Sequence, residues 1–313
     1  RPEASGWVGS YGSAGASLSG MLLDTRVFLR GELLPDDYPY SVPVNRGGGE
    51  ARRVNAGGGL GSLSFRHWGR FDVQGRASVS RRGLPGSVGN ETPYAEAEDG
   101  AGFVGVTIGG ASTWSASLQY LQSTVRDSAP PSGPAYEARS AGWSGTIDWS
   151  HGRPVAVAGW AGNVALGASA RHDRFGGDVV QDGSQFSRAG LRGTATLRPS
   201  GQSPWTLTPS LRLDVWTGED LPLGSARLDA GWQRGATSVQ ASIGSAVSAP
   251  PLADLFFREG VGVALNPGLR PERVRWEVEL GVNQDWSLFG APGSASLRGY
   301  YGRVDDMILW APG

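Results

Sequence analysis

Hydrophobic and polar residues alternate along this chain in steps of two, almost without interruption. Leu207, Pro209, Leu211, Leu213 and Val215 alternate with Thr206, Thr208, Ser210, Arg212 and Asp214. Val274, Trp276, Val278, Leu280 and Val282 alternate with Arg275, Glu277, Glu279, Gly281 and Asn283. Successive side chains of a strand point to opposite faces, so each segment carries one apolar and one polar face. The pattern predicts about fourteen strands, near 7–19, 25–34, 58–68, 71–81, 101–109, 113–126, 136–149, 163–173, 187–198, 205–216, 224–233, 237–248, 274–286 and 295–309. Many reach ten residues, the length a tilted strand needs to cross a bilayer. Ordinary sheet strands peak at five or six.

The connections alternate as well. Short ones contain Gly69-Arg70, Gly109-Gly110, Pro199 to Pro204, Gln233 to Ala236 and Leu288 to Gly293. Long ones contain Pro35 to Gly57, Arg82 to Gly100, Asp127 to Ala135, Arg174 to Phe186 and Ala249 to Arg273. Strict alternation places the two kinds on opposite rims, as in outer-membrane barrels with short periplasmic turns and longer extracellular loops. The connection at Gly20 to Asp24 falls on the short side, which puts the first strand's beginning at the outer rim. The stretch His151 to Gly162 is too long for that side and is expected to hide extra strand at either end. Trp68, Trp149, Trp205, Trp216, Trp232 and Trp286 lie near strand ends, where amphipathic rings suit a membrane interface. The competing reading makes them core aromatics of a soluble β protein.

The fold expected is therefore all-β: an antiparallel transmembrane β-barrel, with residues 1–313 a single barrel region. Leu211, Leu213, Val278 and Leu280 would face lipid, and Arg212, Asp214, Glu277 and Glu279 the lumen. A soluble sandwich would instead bury the apolar faces in one core.

Composition narrows the choice. Fifty Gly and 12 Trp in 313 residues are far from the usage of a helical protein. Without cysteine there is no disulfide framework and no thiolate metal site. All 28 basic residues are Arg, and with 29 acidic residues the formal charge is −1. No basic stripe stands out, which argues against nucleic acid as a partner. No apolar run is long enough for a transmembrane helix, but barrel strands give only a weak hydropathy signal. Arg1-Pro2-Glu3 does not open a secretory signal. No repeat of 20–50 residues recurs, which disfavours a propeller.

Candidate chemistry is sparse. His67, His151 and His172 lie far apart without metal-ligand spacing, so catalysis has no support and no cofactor is expected. The run Gly57-Gly58-Gly59-Leu60-Gly61 lacks the strand–turn–helix context of a phosphate loop. Acidic groups at Asp36-Asp37, Glu96-Glu98-Asp99, Asp178-Asp182 and Glu219-Asp220 fall on the long-loop rim. Such carboxylates either hold Ca²⁺ through oxygen ligands or are solvated loop charge. Tyr38, Tyr40, Tyr94, Phe256 and Phe257, with Asp36, Asp37 and Arg258, are the candidate ligand-binding residues of the loops.

Several stretches carry a family likeness. Ser248-Ala249-Pro250-Pro251-Leu252-Ala253-Asp254-Leu255-Phe256 precedes Asn266-Pro267-Gly268-Leu269-Arg270-Pro271-Glu272. Together they resemble a long extracellular loop of TonB-dependent outer-membrane receptors, particularly those for vitamin B12 and ferric siderophores. Tyr300-Tyr301-Gly302-Arg303-Val304-Asp305-Asp306-Met307-Ile308 resembles the strand that follows. Arg82-Gly83-Leu84-Pro85-Gly86, Asp36-Asp37-Tyr38-Pro39-Tyr40 and Arg53-Val54-Asn55-Ala56 resemble text of the B12-receptor branch. Two positions depart from the family pattern: Ser248 stands where Arg is usual, and Arg270 where Lys is usual.

The resemblance implies a receptor that actively imports a scarce metal chelate or cobalamin across the outer membrane. Lipid would surround it, and the TonB–ExbB–ExbD system would drive it through a plug. It implies a wall of twenty-two strands, of which this chain would be an internal fragment of about fourteen without plug or last strands. Its terminal strands, 7–19 and 295–309, would be open edges. The motif residues Gly83, Pro85, Gly86, Ala249, Pro250, Asp254, Leu255, Asn266, Pro267, Pro271, Glu272, Asp306 and Ile308 would be structural. The alternatives are a passive porin and a soluble β-rich binding module.

Overall fold

The alternating segments form extended strands, and neighbouring strands pair edge to edge. The computed structural model describes all residues except 1, 10–11, 35–37, 42–49, 54–56, 85, 88–89, 93, 111, 131–132, 179, 181–183, 202, 251–254, 256–265, 267 and 308–313. Among the described residues the elements are β1 (Glu3–Val8), β2 (Ala14–Leu22), β3 (Thr25–Leu34), β4 (Tyr38–Ser41), β5 (Glu50–Arg53), β6 (Gly58–Trp68), β7 (Asp72–Gly83), β8 (Gly86–Ser87), β9 (Asn90–Glu91), β10 (Ala95–Ile108), β11 (Ser112–Asp127), β12 (Tyr136–Val157), β13 (Trp160–Gly177), β14 (Gln185–Pro199), β15 (Trp205–Trp216), β16 (Leu223–Arg234), β17 (Thr237–Ser248), β18 (Glu272–Leu288) and β19 (Ala291–Asp305). Fifteen form one sheet in chain order from β1 to β19. The small hairpins β4–β5 and β8–β9 lie apart from it, within two long connections. All pairings in the wall are antiparallel, and β1 and β19 are its two ends, so the sheet is open.

The wall has one strand more than expected. The segment 7–19 is two strands, β1 and β2, which reverse between Val8 and Ala14. Gly, Ser and Ala dominate here and give little hydropathy contrast, so the period-two test cannot see the reversal. Gly12 turns the chain with φ of 82°, a conformation glycine adopts without strain. Two corrections follow. Glu3 lies opposite Ser19, near the short-turn rim and not the long-loop rim. The first edge strand is Glu3–Val8, not 7–19.

The long stretch around His151 resolves as expected. β12 continues to Val157 and β13 begins at Trp160. Ala158 and Gly159 between them have φ of 50° and 80°, the two positive values a tight hairpin turn needs to match strand twist. Phe289 and Gly290 do the same between β18 and β19, with φ of 51° and 85°.

Directly opposed residues share a face, so the register can be followed across the sheet. Val73, Val106, Ala116, Ile147, Ala170, Ala189 and Val215 form one continuous apolar row. Large aliphatics on this face stand open: Leu191 is 61 % exposed and Leu280 54 %. The opposite face of the same strands carries Arg192, Arg212, Asp214, Glu277 and Glu279. The accessible surface totals 20807 Å², against roughly 12,500 Å² for a compact soluble protein of this mass. A sandwich does not fit, because among the described residues no second layer covers the apolar face.

Aromatic residues bound that face. Trp114 lies opposite Trp149, and Trp205 opposite Trp232, all near the short turns. Tyr120 packs on Trp143 with ring centroids 4.5 Å apart, and Trp276 on Tyr301 at 5.4 Å, both nearer the long loops. Trp276 and Trp286 share this face of β18. They stand about 33 Å apart along the strand, or about 25 Å along a bilayer normal at a tilt of about 40°. That matches the apolar band of a membrane barrel. Trp68 and Trp216 are corrections: both point to the polar face, because their even numbers oppose the odd apolar positions of β6 and β15.

Candidate ligand path on the polar face

On one strand, residues i and i+2 are same-face neighbours, so an Arg and a carboxylate at that spacing meet. The polar face repeats this device. Arg30 Nε donates to Glu32 Oε1 at 2.9 Å, Arg171 Nε to Asp173 Oδ2 at 2.9 Å, Arg212 Nε to Asp214 Oδ2 at 2.6 Å, and Arg227 Nε to Asp229 Oδ1 at 2.8 Å. Arg298 Nε lies 3.0 Å from Glu279 Oε1. Where both partners are exposed, as in Arg227–Asp229, the pair adds at most about 1 kcal/mol to stability. The larger effect of these pairs is to hold the guanidiniums over the polar face.

Between these pairs runs an arginine track. Arg188 lies directly opposite Arg171, and Arg192 opposite Arg212. Like charges directly opposed across a sheet are unfavourable. Asp173 and Asp214 offset Arg171 and Arg212. Among the described residues no carboxylate lies within ion-pair distance of Arg188 or Arg192. A cavity of about 460 Å³ is lined by Arg192, Arg212 and Arg227 together with Ser150, Thr194 and Ser210. A second, of about 330 Å³, continues past Thr208, Gln240, Glu279 and Arg298. The path suits a ligand bearing several oxygen anions or hydroxyls.

Toward the long-loop rim the polar face is capped by an apolar cluster of Phe186, Trp216, Leu223 and Leu255. Phe186 and Trp216 meet at a tilt, with ring centroids 6.5 Å apart. Register places Asp173 opposite Phe186 and Asp214 opposite Leu223. The cluster thus explains why these carboxylates are only 1 % and 5 % exposed. Val247, Ala249 and Leu269 pack against it, so both ends of the 249–271 connection are pinned to the wall. Pro250 and Pro271 are buried. Asn266 makes a turn, accepting from Gly268 N on Oδ1 and from Leu269 N on its carbonyl, each at 3.1 Å.

Other expected residues scatter. Tyr94 is 58 % exposed at the end of its connection. Tyr38 and Tyr40 lie on β4, and Gly86 on β8. Gly83 N donates to the Gly57 carbonyl at 2.7 Å. Glu272 opens β18, and Asp306 follows β19 with φ of 55°. Asp36, Asp37, Pro85, Asp254, Phe256, Phe257, Arg258, Pro267 and Ile308 lie outside the described residues.

The acidic group Glu96-Glu98-Asp99 does not converge. Glu96 and Glu98 point to the apolar side of β10 and Asp99 to the polar side. Glu96 is held by Arg81 and Arg126 at 2.7 Å each, and Asp99 accepts from Ser123 Oγ at 2.7 Å. Asp178 accepts from Arg139 N at 2.9 Å. Among the described residues no three metal-ligating side chains gather.

All three histidines sit on the apolar face. Each shares a hydrogen bond through Nδ1 with a hydroxyl directly across the sheet: Thr25 at 3.0 Å for His67, Ser112 at 2.9 Å for His151 and Ser187 at 2.8 Å for His172. The arginine track and the cluster around Trp216 were absent from the sequence-based candidates. The recurring Arg-x-Asp spacing and the even number of Trp216 were the available signals.

A family model described as TonB dependent receptor-like, beta-barrel matches residues 14–313. Among curated protein sequences nothing matches. The fold is similar to that of the FrpB iron transporter from Neisseria meningitidis, with a TM-score of 0.66 and 13 % identity over 98 % of this chain and 54 % of that one. It is similar to a variant of the ferric enterobactin receptor from Pseudomonas aeruginosa in complex with enterobactin (0.60, 14 %, 94 % and 52 %). It is also similar to the siderophore receptor PirA from Acinetobacter baumannii (0.61, 10 %, 91 % and 54 %). The chain spans about half the length of these structures.

Proposed function

Because the chain belongs to the TonB-dependent receptor β-barrel family, we propose that its fifteen strands wall the uptake path of a Gram-negative outer-membrane receptor. The carrying observation is a sheet whose uncovered apolar face needs lipid and whose other face is lined by arginines and hydroxyls. A siderophore–iron complex fits that lining better than cobalamin, since its carboxylate or catecholate oxygens match unpaired guanidiniums. Energy would come from the TonB–ExbB–ExbD system, and release of ligand requires two receptor states of different affinity.

In cells where this receptor is the sole route for a ferric siderophore, uptake of radioactive iron is expected to fall to background when TonB is deleted. Uptake that persists without TonB would favour the passive porin. Import of cobalamin but of no ferric chelate would overturn the ligand assignment.

A further inference from the structure

The apolar face is not uniform. Across β10 to β15 it holds a wide, open groove of about 880 Å³. Ala116, Gly145, Ala170 and Ala189 are its small residues; Ile147 rises between Ala116 and Ala170, and Val104, Leu118 and Val215 line it as well. Toward the long-loop rim the groove ends on polar groups. His172 Nδ1 and Ser187 Oγ share a hydrogen bond of 2.8 Å, and Ser187 N donates to Thr217 Oγ1 at 2.9 Å.

Two residues further along β13, about 7 Å, Arg174 lies on the same face between Trp143 and Gln185. It is exposed, and among the described residues no carboxylate lies within ion-pair distance of it. Its neighbours on this face differ: Arg81 and Arg126 are bound to Glu96, and Arg139 to Glu137. The Tyr120–Trp143 pair marks the level of lipid headgroups, where such rings collect. An unpaired guanidinium at that height, directly above an apolar groove, calls for an anion joined to a hydrocarbon chain.

We infer that the groove and Arg174 form a binding site for one phosphorylated lipid of the leaflet on the long-loop side. Acyl chain fills the groove, Arg174 pairs with the phosphate in bidentate geometry, and the His172–Ser187 pair meets the polar linkage between them. The site rests on the membrane placement proposed above but not on what the receptor imports.

The test is native mass spectrometry of the receptor released at its natural length from outer membranes in mild detergent. One retained phosphorylated lipid per receptor is expected. R174E should lower its occupancy at least tenfold. Gly145→Leu should do the same by filling the groove, since a Cβ at Gly145 meets nothing within 4 Å and the wall need not move. Gly299 is equally open on the same face of β19, so Gly299→Leu should retain the lipid. Equal retention in the two leucine variants overturns the groove, and preference for uncharged lipid overturns the role of Arg174. Binding of inorganic phosphate alone, undiminished by Gly145→Leu, overturns the lipid. Retention that follows the expected pattern in a receptor importing nothing would support this site while contradicting the transport function.

Discussion

Arginine in place of Leu280 is expected to destabilise the wall by about 2–4 kcal/mol, the cost of that side chain near a bilayer midplane. Leu280 lies between Trp276 and Trp286 on the apolar face of β18 and is 54 % exposed. In water, a substitution at so open a position would stay within about 0.5 kcal/mol. The size of the loss therefore separates lipid from water as the medium on that face. The adjacent Glu279 points to the other face, where Arg298 and Arg227 meet it at 3.0 and 3.7 Å. Glu279→Gln is expected to cost at most about 1 kcal/mol. Denaturant unfolding from phospholipid vesicles would measure both. Equal losses would contradict the two-faced wall.

Alanine in place of Trp216 is expected to cost about 3–5 kcal/mol of packing, the range for a buried aromatic. The ring is lost from Phe186, Leu223 and Leu255, and with it the anchor of the 249–271 connection. The wall itself is held by backbone pairing on both sides of β15, so the damage should stay at the rim. Protease should then cut within 249–271 at least tenfold faster, with the strands still protected. Trp216→Phe should restore most of the protection. Unchanged cleavage in Trp216→Ala would show that the cluster does not hold the connection.

Strands were readable where hydropathy contrast is strong. β15 and β17 have the expected bounds, 205–216 and 237–248. They were misread where contrast fails, as in the Gly-, Ser- and Ala-rich hairpin of β1 and β2. Parity already held part of the site. Trp68 and Trp216 fall on even positions of strands whose apolar residues are odd, and Glu98 and Asp99, being adjacent, cannot share a face. Closeness to a strand end does not by itself fix which face a ring takes. The apposition of Arg188 with Arg171, and of Arg192 with Arg212, depends on register between strands. Register is set by turn geometry and by the whole apolar face, not by local text. Leu255 meeting Trp216 is a tertiary contact without a local signature, although the family motif had marked Leu255 as structural.

Labelling of single cysteines on intact cells tests the membrane wall most directly, because the chain has no cysteine of its own. Tyr94 and Asn266 are exposed on long connections, and Phe289 is fully exposed at a short turn on the opposite rim. With a membrane-impermeant thiol reagent, Tyr94→Cys and Asn266→Cys should label on intact cells, and Phe289→Cys only after the outer membrane is opened. Labelling of Phe289→Cys on intact cells, with Tyr94→Cys and Asn266→Cys silent, would contradict the account.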